Sequence, residues 1–401
     1  MDMSKKADDK PIVLTFIGNY LPGYKAGGIL RSMVNAVDNL CDDVAFWIIT
    51  RDRDLGDDKP YRGIKIDQWQ PVGNAMVYYL SPGHSTIKGI LNLIMNTKHN
   101  VLYLNSFFDP LTIKVLLNTK LREKSFKPVI VAPRGEFAWA SLKQKYPKKF
   151  VFIQAAKLLG LYDKVTWHAS SELESLDIIN VMNIKPDTIH IALDLPNKII
   201  PDETLPVTSN RSSDCKGLRI VFLSRISREK NLDFALRVLK KVKIRVIFDI
   251  FGPAENKAYW KECRELMDQL PANVTVNYLG AVNPTQVSNV FSQYDLFLFP
   301  TAGENYGHVI AECLTSGTPV LISTETPWRN MQAEGLGWDV DLAQEDLFVE
   351  IIEKLASLSD DERLKKRAEI KIKILDRLLD PAVLESNRQL LRMRCYHAHQ
   401  Q

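Results

Sequence analysis

Two glutamates with seven residues between them, Glu304 and Glu312, bracket a glycine-bounded turn in Thr301-Ala-Gly-Glu-Asn-Tyr-Gly-His-Val-Ile-Ala-Glu312. Upstream, Asp295-Leu-Phe-Leu-Phe-Pro300 has the unbroken apolar run of a buried strand. Downstream, Val309, Ile310, Cys313 and Leu314 give one apolar helical face, with Gly317 placed as a C-terminal cap. The turn therefore joins the carboxyl end of a strand to the amino end of a helix, where open α/β sheets bind ligands. Unpaired helix N–H groups favour a phosphate there. Carboxylates do not attract phosphate, so Glu304 and Glu312 suit sugar hydroxyls. The pattern predicts a ligand that is both phosphate and polyol. The plainer alternative is a Glu that caps or complements a helix.

A second loop carries the opposite charge. Ser224-Arg-Ile-Ser-Arg-Glu-Lys-Asn231 follows a strand-like run, and its Arg225 and Lys230 supply a planar fork and a point charge suited to a diphosphate. A third loop, Gly18 to Gly28, is glycine-rich between strand and helix but has the spacing of neither the dinucleotide fingerprint nor the P-loop. A fourth, Pro133-Arg-Gly-Glu-Phe137, offers Arg134 for bidentate phosphate binding and Glu136 for an acceptor hydroxyl, or the two as a loop salt bridge.

Positioning these loops requires two alternating sets of strands and helices. The first runs from Pro11 to about Leu193, with a loop expected between strands Val44–Thr50 and Met76–Leu80. The second starts at Leu218 and places Leu232, Ala235, Leu236, Leu239 and Val242 on one helical face. Alternation of this kind predicts doubly wound parallel sheets. The expected domains are 1–197 and 217–380, joined by a Pro-, Ser- and Thr-rich linker at 198–216, with a last helix in 381–401.

The 401 residues suffice for two cores, and a net charge of +4 excludes a global nucleic-acid-binding character. Five scattered cysteines suit neither a zinc site nor a disulfide framework, and the polar N-terminus lacks a signal-peptide core, so a cytoplasmic chain is expected. The acidic pairs Asp52/Asp54 and Asp339/Asp341 read as structural, and no metal motif is expected. Lys143, Lys145, Lys148 and Lys149 precede an apolar helical run, either as a solvated face or as a peripheral contact with anionic membrane.

With the Arg225…Lys230 pair, the Glu304…Glu312 spacing and the Gly27-Gly28 loop together, the chain resembles the retaining glycosyltransferases of family four, over nearly its whole length. Pro22-Gly-Tyr-Lys-Ala-Gly-Gly28, Pro133-Arg-Gly-Glu-Phe137, Trp167-His-Ala-Ser-Ser171 and Thr326-Pro-Trp328 are similar to a subfamily common in bacterial surface-polysaccharide assembly. The resemblance implies the GT-B fold, two Rossmann-like domains facing each other across a cleft, with the last helix returning to the acceptor-binding first domain. It implies a UDP- or GDP-linked sugar as donor, a saccharide or lipid-diphosphate-linked saccharide as acceptor, and no cofactor or metal.

By position, Arg225 and Lys230 would bind the donor diphosphate, and Glu304 the transferred sugar. Backbone from Asn305, Tyr306, Gly307 and His308 would hold phosphate and sugar, and Glu312 the ribose. Gly27 and Gly28 would let the first-domain loop approach the diphosphate, while Gly252 and Gly280 to Val282 would meet the base. Tyr24, Lys25, Arg134 and Glu136 are acceptor-side candidates. Many relatives carry a histidine where this chain has Arg134-Gly-Glu136, which leaves the group facing the acceptor open. Two other functions fit the same fold: a sugar-nucleotide epimerase and a non-catalytic sugar-nucleotide-binding protein.

Overall fold

A computed structural model describes residues 10–121, 127–143, 146–198 and 217–392. Most of the expected linker, residue 145 and the last residues of the chain lie outside this set. The chain divides into two compact units, residues 1–198 with 380–401, and residues 199–379.

Unit 1 contains β1 (Ile12–Phe16), α1 (Gly28–Leu40), β2 (Ala45–Arg51), β3 (Trp69–Val72), β4 (Ala75–Leu80), α2 (Ile87–Asn96) and β5 (Val101–Asn105). It continues through α3 (Pro110–Leu121), β6 (Val129–Ala132), α4 (Trp139–Leu142), α5 (Tyr146–Leu158), β7 (Val165–Ala169), α6 (Glu172–Met182) and β8 (Ile189–Ile191). The strand order among described residues is β3-β4-β2-β1-β5-β6-β7-β8. All pairings are parallel except β3 with β4, so the segment expected as a plain loop holds an antiparallel edge strand. Pro71 is tolerated there because an edge strand needs fewer N–H donors. Val101–Asn105 and Val129–Ala132 are buried along their whole length, as parallel strands covered on both faces must be.

Unit 2 contains β9 (Leu218–Leu223), α7 (Leu232–Lys241), β10 (Val246–Phe251), α8 (Lys257–Met267), β11 (Val274–Gly280), α9 (Val287–Ser292) and β12 (Leu296–Phe299). Then follow α10 (His308–Thr315), β13 (Val320–Ser323), α11 (Met331–Glu334), β14 (Gly337–Val340), α12 (Glu345–Ala356) and α13 (Asp360–Leu378). The sheet order is β11-β10-β9-β12-β13-β14, all parallel. Phe222, Phe248, Phe291 and Phe297 are fully buried, each contributing about 1.5–3 kcal/mol by leaving water. A capping box at Ser359 and Glu362 starts α13 where the sequence turns polar.

The final helix, α14 (Pro381–Arg392), belongs to unit 1. Leu390 and Leu391 join the core of β1, β2 and α1. Asn387 Nδ2 donates to the Leu193 carbonyl at 2.9 Å, and Ser386 Oγ to that of Ile191 at 2.8 Å. Arg388 Nε pairs with Asp43 at 2.8 Å.

Candidate functional site

In unit 2 the strand order reverses between β9 and β12, which lie side by side although two strands separate them in sequence. Loops leaving the carboxyl ends of such neighbours diverge to opposite faces and leave a crevice. The β9 loop carries Arg225 and Lys230; the β12 loop carries Glu304. Tertiary structure brings them into contact: Lys230 Nζ donates to Glu304 Oε1 at 2.6 Å and to the Gly303 carbonyl at 3.4 Å. Lys230 is buried and has a second carboxylate, Glu229, at 3.5 Å. The two loops are tied through backbone. Ala302 N–H donates to the Glu229 carbonyl at 2.7 Å, and Asn231 Nδ2 to that of Pro300 at 2.9 Å. Asn231 adopts a left-handed conformation, φ 60°, tolerated by Asn, to start α7 directly after the Lys230 turn.

Arg225 stands nearer solvent and pairs with Glu255 at 3.3 Å. Its backbone abuts Gly252, the residue after β10, whose φ is 134°. A Cβ there would run into the Ser224 carbonyl, so only glycine fits between the β9 and β10 loops. Gly252 N–H donates to the Gly280 carbonyl at 2.7 Å, and Val282 packs half-buried against the unit 2 core.

Downstream of Glu304, Gly307 is the N-cap of α10 with φ 80°, and no side chain caps this helix. Tyr306 is buried, its carbonyl accepting from Trp328 Nε1 at 2.5 Å and its ring lying 5.7 Å from the Trp328 ring. His308 packs against Tyr306, centroids 4.7 Å apart. Glu304 N–H donates to the Glu325 carbonyl at 3.0 Å. Glu229, Glu325 and Trp328 therefore support the site without having been singled out for it. The motif Thr326-Pro-Trp328 marked the last, but nothing local in sequence pointed it at Tyr306.

Two polar atoms in these loops, Ser227 Oγ and Asn305 Oδ1, are buried without a hydrogen-bond partner among the described residues. Buried polar atoms of that kind are rare in folded proteins. Glu312 lies one turn into α10, half-buried.

The unit 1 candidates divide. Gly27, φ 63°, is the N-cap of α1 and Gly28 its first residue, both with open space where a Cβ would stand. Asp54 fixes the preceding turn: its Oδ2 accepts from Tyr24 N–H at 2.9 Å and Lys25 N–H at 3.3 Å. The Tyr24 side chain is exposed, while Lys25 Nζ pairs with Asp57 at 2.5 Å.

Arg134 requires correction. Its guanidinium is buried and fully engaged, with Nε donating to Asn105, Nη1 to Asp194 and Nη2 to Tyr103 Oη. It is a core hub, not a phosphate fork. Glu136 is corrected likewise. Ser106 Oγ donates to it at 2.6 Å, with Phe107 N–H and Phe108 N–H at 2.5 and 3.2 Å, so it organises the β5 loop. Burial pushes its carboxyl up from the usual range, opposed by those hydrogen bonds. His168 is locked beside this hub, Nε2 donating to the Ala192 carbonyl at 2.8 Å and Nδ1 accepting from Tyr103 Oη at 2.7 Å.

The acidic pairs read as structural hold local contacts: Asp52 pairs with the Arg53 side chain at 2.8 Å, and Asp339 accepts from Met331 N–H at 2.9 Å. Among the described residues no three His, Cys, Asp or Glu gather as a metal would require. Of the four lysines, Lys143 and Lys148 are exposed and Lys145 lies outside the described residues. Lys149 is turned inward, donating to the Ser141 carbonyl at 2.8 Å with its Nζ 5.2 Å from the Phe108 ring centroid. No described helix is long and apolar enough to cross a membrane.

Residues 210–372 match the family described as Glycosyl transferases group 1. An uncharacterized 41.2 kDa protein in the cps region of Klebsiella pneumoniae is 23% identical over 269 residues, 66% of this chain and 71% of that protein. In three dimensions, Anabaena HepE, solved with UDP and glucose, is similar at TM-score 0.64 and 12% identity, covering 95% of this chain and 98% of its own. WaaG, a glycosyltransferase involved in lipopolysaccharide biosynthesis, is similar at TM-score 0.63 and 13% identity, covering 95% and 99%.

Proposed function

We propose that this chain, which has the GT-B fold and a segment matching the group 1 glycosyltransferases, moves a sugar from a nucleotide diphosphate donor to a saccharide acceptor, retaining the anomeric configuration. The observation that carries this reading is the Lys230–Glu304 pair at the β9/β12 crevice. It sets a cation for the diphosphate directly against a carboxylate for the sugar.

As the bond from anomeric carbon to phosphate oxygen breaks, negative charge collects on the leaving diphosphate. Lys230, Arg225 and the first N–H groups of α10 stand where that charge develops, and preorganised groups of this kind lower the barrier most. Glu304 accepts hydrogen bonds from the sugar hydroxyls, and Glu312 from the ribose. The acceptor hydroxyl attacks on the face the diphosphate leaves and passes its proton to a phosphate oxygen. With the cations supplied by protein, no divalent metal is needed. The setting is assembly of a surface polysaccharide, with a lipid-linked or free saccharide as acceptor.

The first experiment is a thermal-shift panel of UDP- and GDP-sugars. A donor at a hundred times its Kd stabilises by about 2.7 kcal/mol. With the donor identified, NMR of the product fixes its anomeric configuration; inversion would overturn the retaining reading. Conversion of the donor to another sugar nucleotide without acceptor would establish the epimerase instead. Tight donor binding with neither reaction would leave a binding protein.

A further inference from the structure

The segment from Trp139 to Leu159 turns apolar side chains outward. Trp139 is 68% exposed, Val151 65%, Leu158 89% and Leu159 59%, with Tyr146 and Phe150 also uncovered. These are not scattered. The Trp139 and Tyr146 rings lie 5.9 Å apart and those of Tyr146 and Phe150 5.8 Å, one aromatic row spanning α4 and α5.

Helix α5 shows the same feature from its periodicity. Ile153 and Ala156 face the core, while Phe150, Val151, Ala155 and Leu158 face away from it. A surface helix normally confines its apolar residues to one face, and one that is apolar all round expects a second apolar environment. The charges around this row have one sign. No Asp or Glu occurs between Glu136 and Asp163, whereas Lys143 and Lys148 are exposed and Lys157 is half-buried on the same segment. Tyr and Trp rings with a polar edge, flanked by lysines, match the headgroup level of a bilayer.

We propose that α4 and α5 form a monotopic membrane-binding face for anionic lipid, with Trp139, Tyr146, Phe150, Val151 and Leu158 entering the headgroup boundary. The helix lies in the interface plane and does not span it. Aromatic and aliphatic groups supply penetration, and Lys143, Lys148 and Lys157 select negative headgroups, each worth roughly fivefold in partitioning. A soluble protein partner would need acidic or hydrogen-bonding groups matched to this row. A bilayer needs only the two features present, an apolar crest and a positive flank. The inference does not depend on the transfer reading, because loss of vesicle binding leaves transfer to a water-soluble acceptor intact.

The test is co-sedimentation of the full chain with vesicles of phosphatidylcholine alone and with about a third phosphatidylglycerol, at low and high salt. The expected result is binding to the anionic vesicles that weakens in high salt. Trp139→Ser with Phe150→Ser should lower it at least tenfold at either salt. Lys143→Gln with Lys148→Gln should lower it mainly at low salt. All four side chains are exposed, and unchanged circular dichroism and melting of the variants will show that the fold is intact. No binding by the wild type, or equal binding by wild type and Trp139→Ser/Phe150→Ser, overturns the proposal. A wild-type dimer in analytical ultracentrifugation that this double variant abolishes also overturns it, and assigns the face to a second copy.

Discussion

Lys230 Nζ lies 2.6 Å from Glu304 Oε1, across loops that leave adjacent strands and are 74 residues apart in sequence. The side chains are 8% and 15% exposed, so each is the other's main compensation for burial. On the proposed function, a diphosphate and a sugar share the pair, the phosphate drawing on Lys230 while the hydroxyls engage Glu304.

Removing one partner should hurt stability and turnover together. Lys230→Ala leaves Glu304 and Glu229 uncompensated, which costs about 3–5 kcal/mol for a buried pair. The double variant Lys230→Met/Glu304→Gln removes both charges and should recover most of the melting temperature. Its turnover should nevertheless stay roughly 10²- to 10³-fold below wild type. Wild-type turnover in the double variant would reduce the pair to a structural role.

Chelation separates protein cations from a metal. With donor and acceptor in hand, activity in excess EDTA should equal activity without it. Loss of activity restored by magnesium or manganese would show that Arg225 and Lys230 do not suffice.

Glu312 tests the ribose contact. Glu312→Ala should raise the donor KM about tenfold, the loss of one hydrogen bond to a charged group, with kcat changed little. An unchanged KM would move the ribose off α10.

Gly252→Ala probes the junction of the β9 and β10 loops. The added methyl meets the Ser224 carbonyl, and φ of 134° is open to glycine alone. A destabilisation of about 3 kcal/mol or more is expected in urea unfolding, from strain plus displacement of the Arg225 loop. Donor affinity should fall as well.

Acid should weaken the unit 1 hub. Burial, reinforced by the Arg134 charge, pushes His168 down to about 3 from 6.5. Between those values the unfolded chain binds a proton that the native state refuses, so stability falls as pH falls through that window. The slope approaches about 1.4 kcal/mol per pH unit below the unfolded value, which amounts to about 1.6 kcal/mol between pH 6.5 and 5. The raised carboxyls of Glu136 and Glu174 act with the opposite sign, losing stability as pH rises. Comparing the wild type with His168→Gln at pH 7 and pH 5 isolates the histidine: the variant's acid slope should be shallower by one proton.

What the sequence by itself determined is local. Unbroken apolar runs such as Leu296–Phe299 specified buried parallel strands, and glycine or asparagine at strand ends marked the turns that follow them. The loop holding Glu304 and the loop holding Arg225 and Lys230 were legible as charged strand-end loops, because charge at a strand's carboxyl end is a short-range pattern. The antiparallel strand at Trp69–Val72 was not, since a four-residue edge strand containing proline carries too little periodicity.

Only tertiary structure decided which charges meet. Sheet order puts β9 beside β12 and so Lys230 on Glu304; no spacing along the chain encodes that adjacency. The same cause misdirected Arg134. A cation in a strand-end loop reads as open to ligand until Asp194, 60 residues on, is seen to neutralise it in the core. The lysine run shows both sides. Composition revealed the positive charge, but packing turned Lys149 inward and left Trp139, Tyr146 and Phe150 outside, while Phe152, Ile153 and Ala156 face the core.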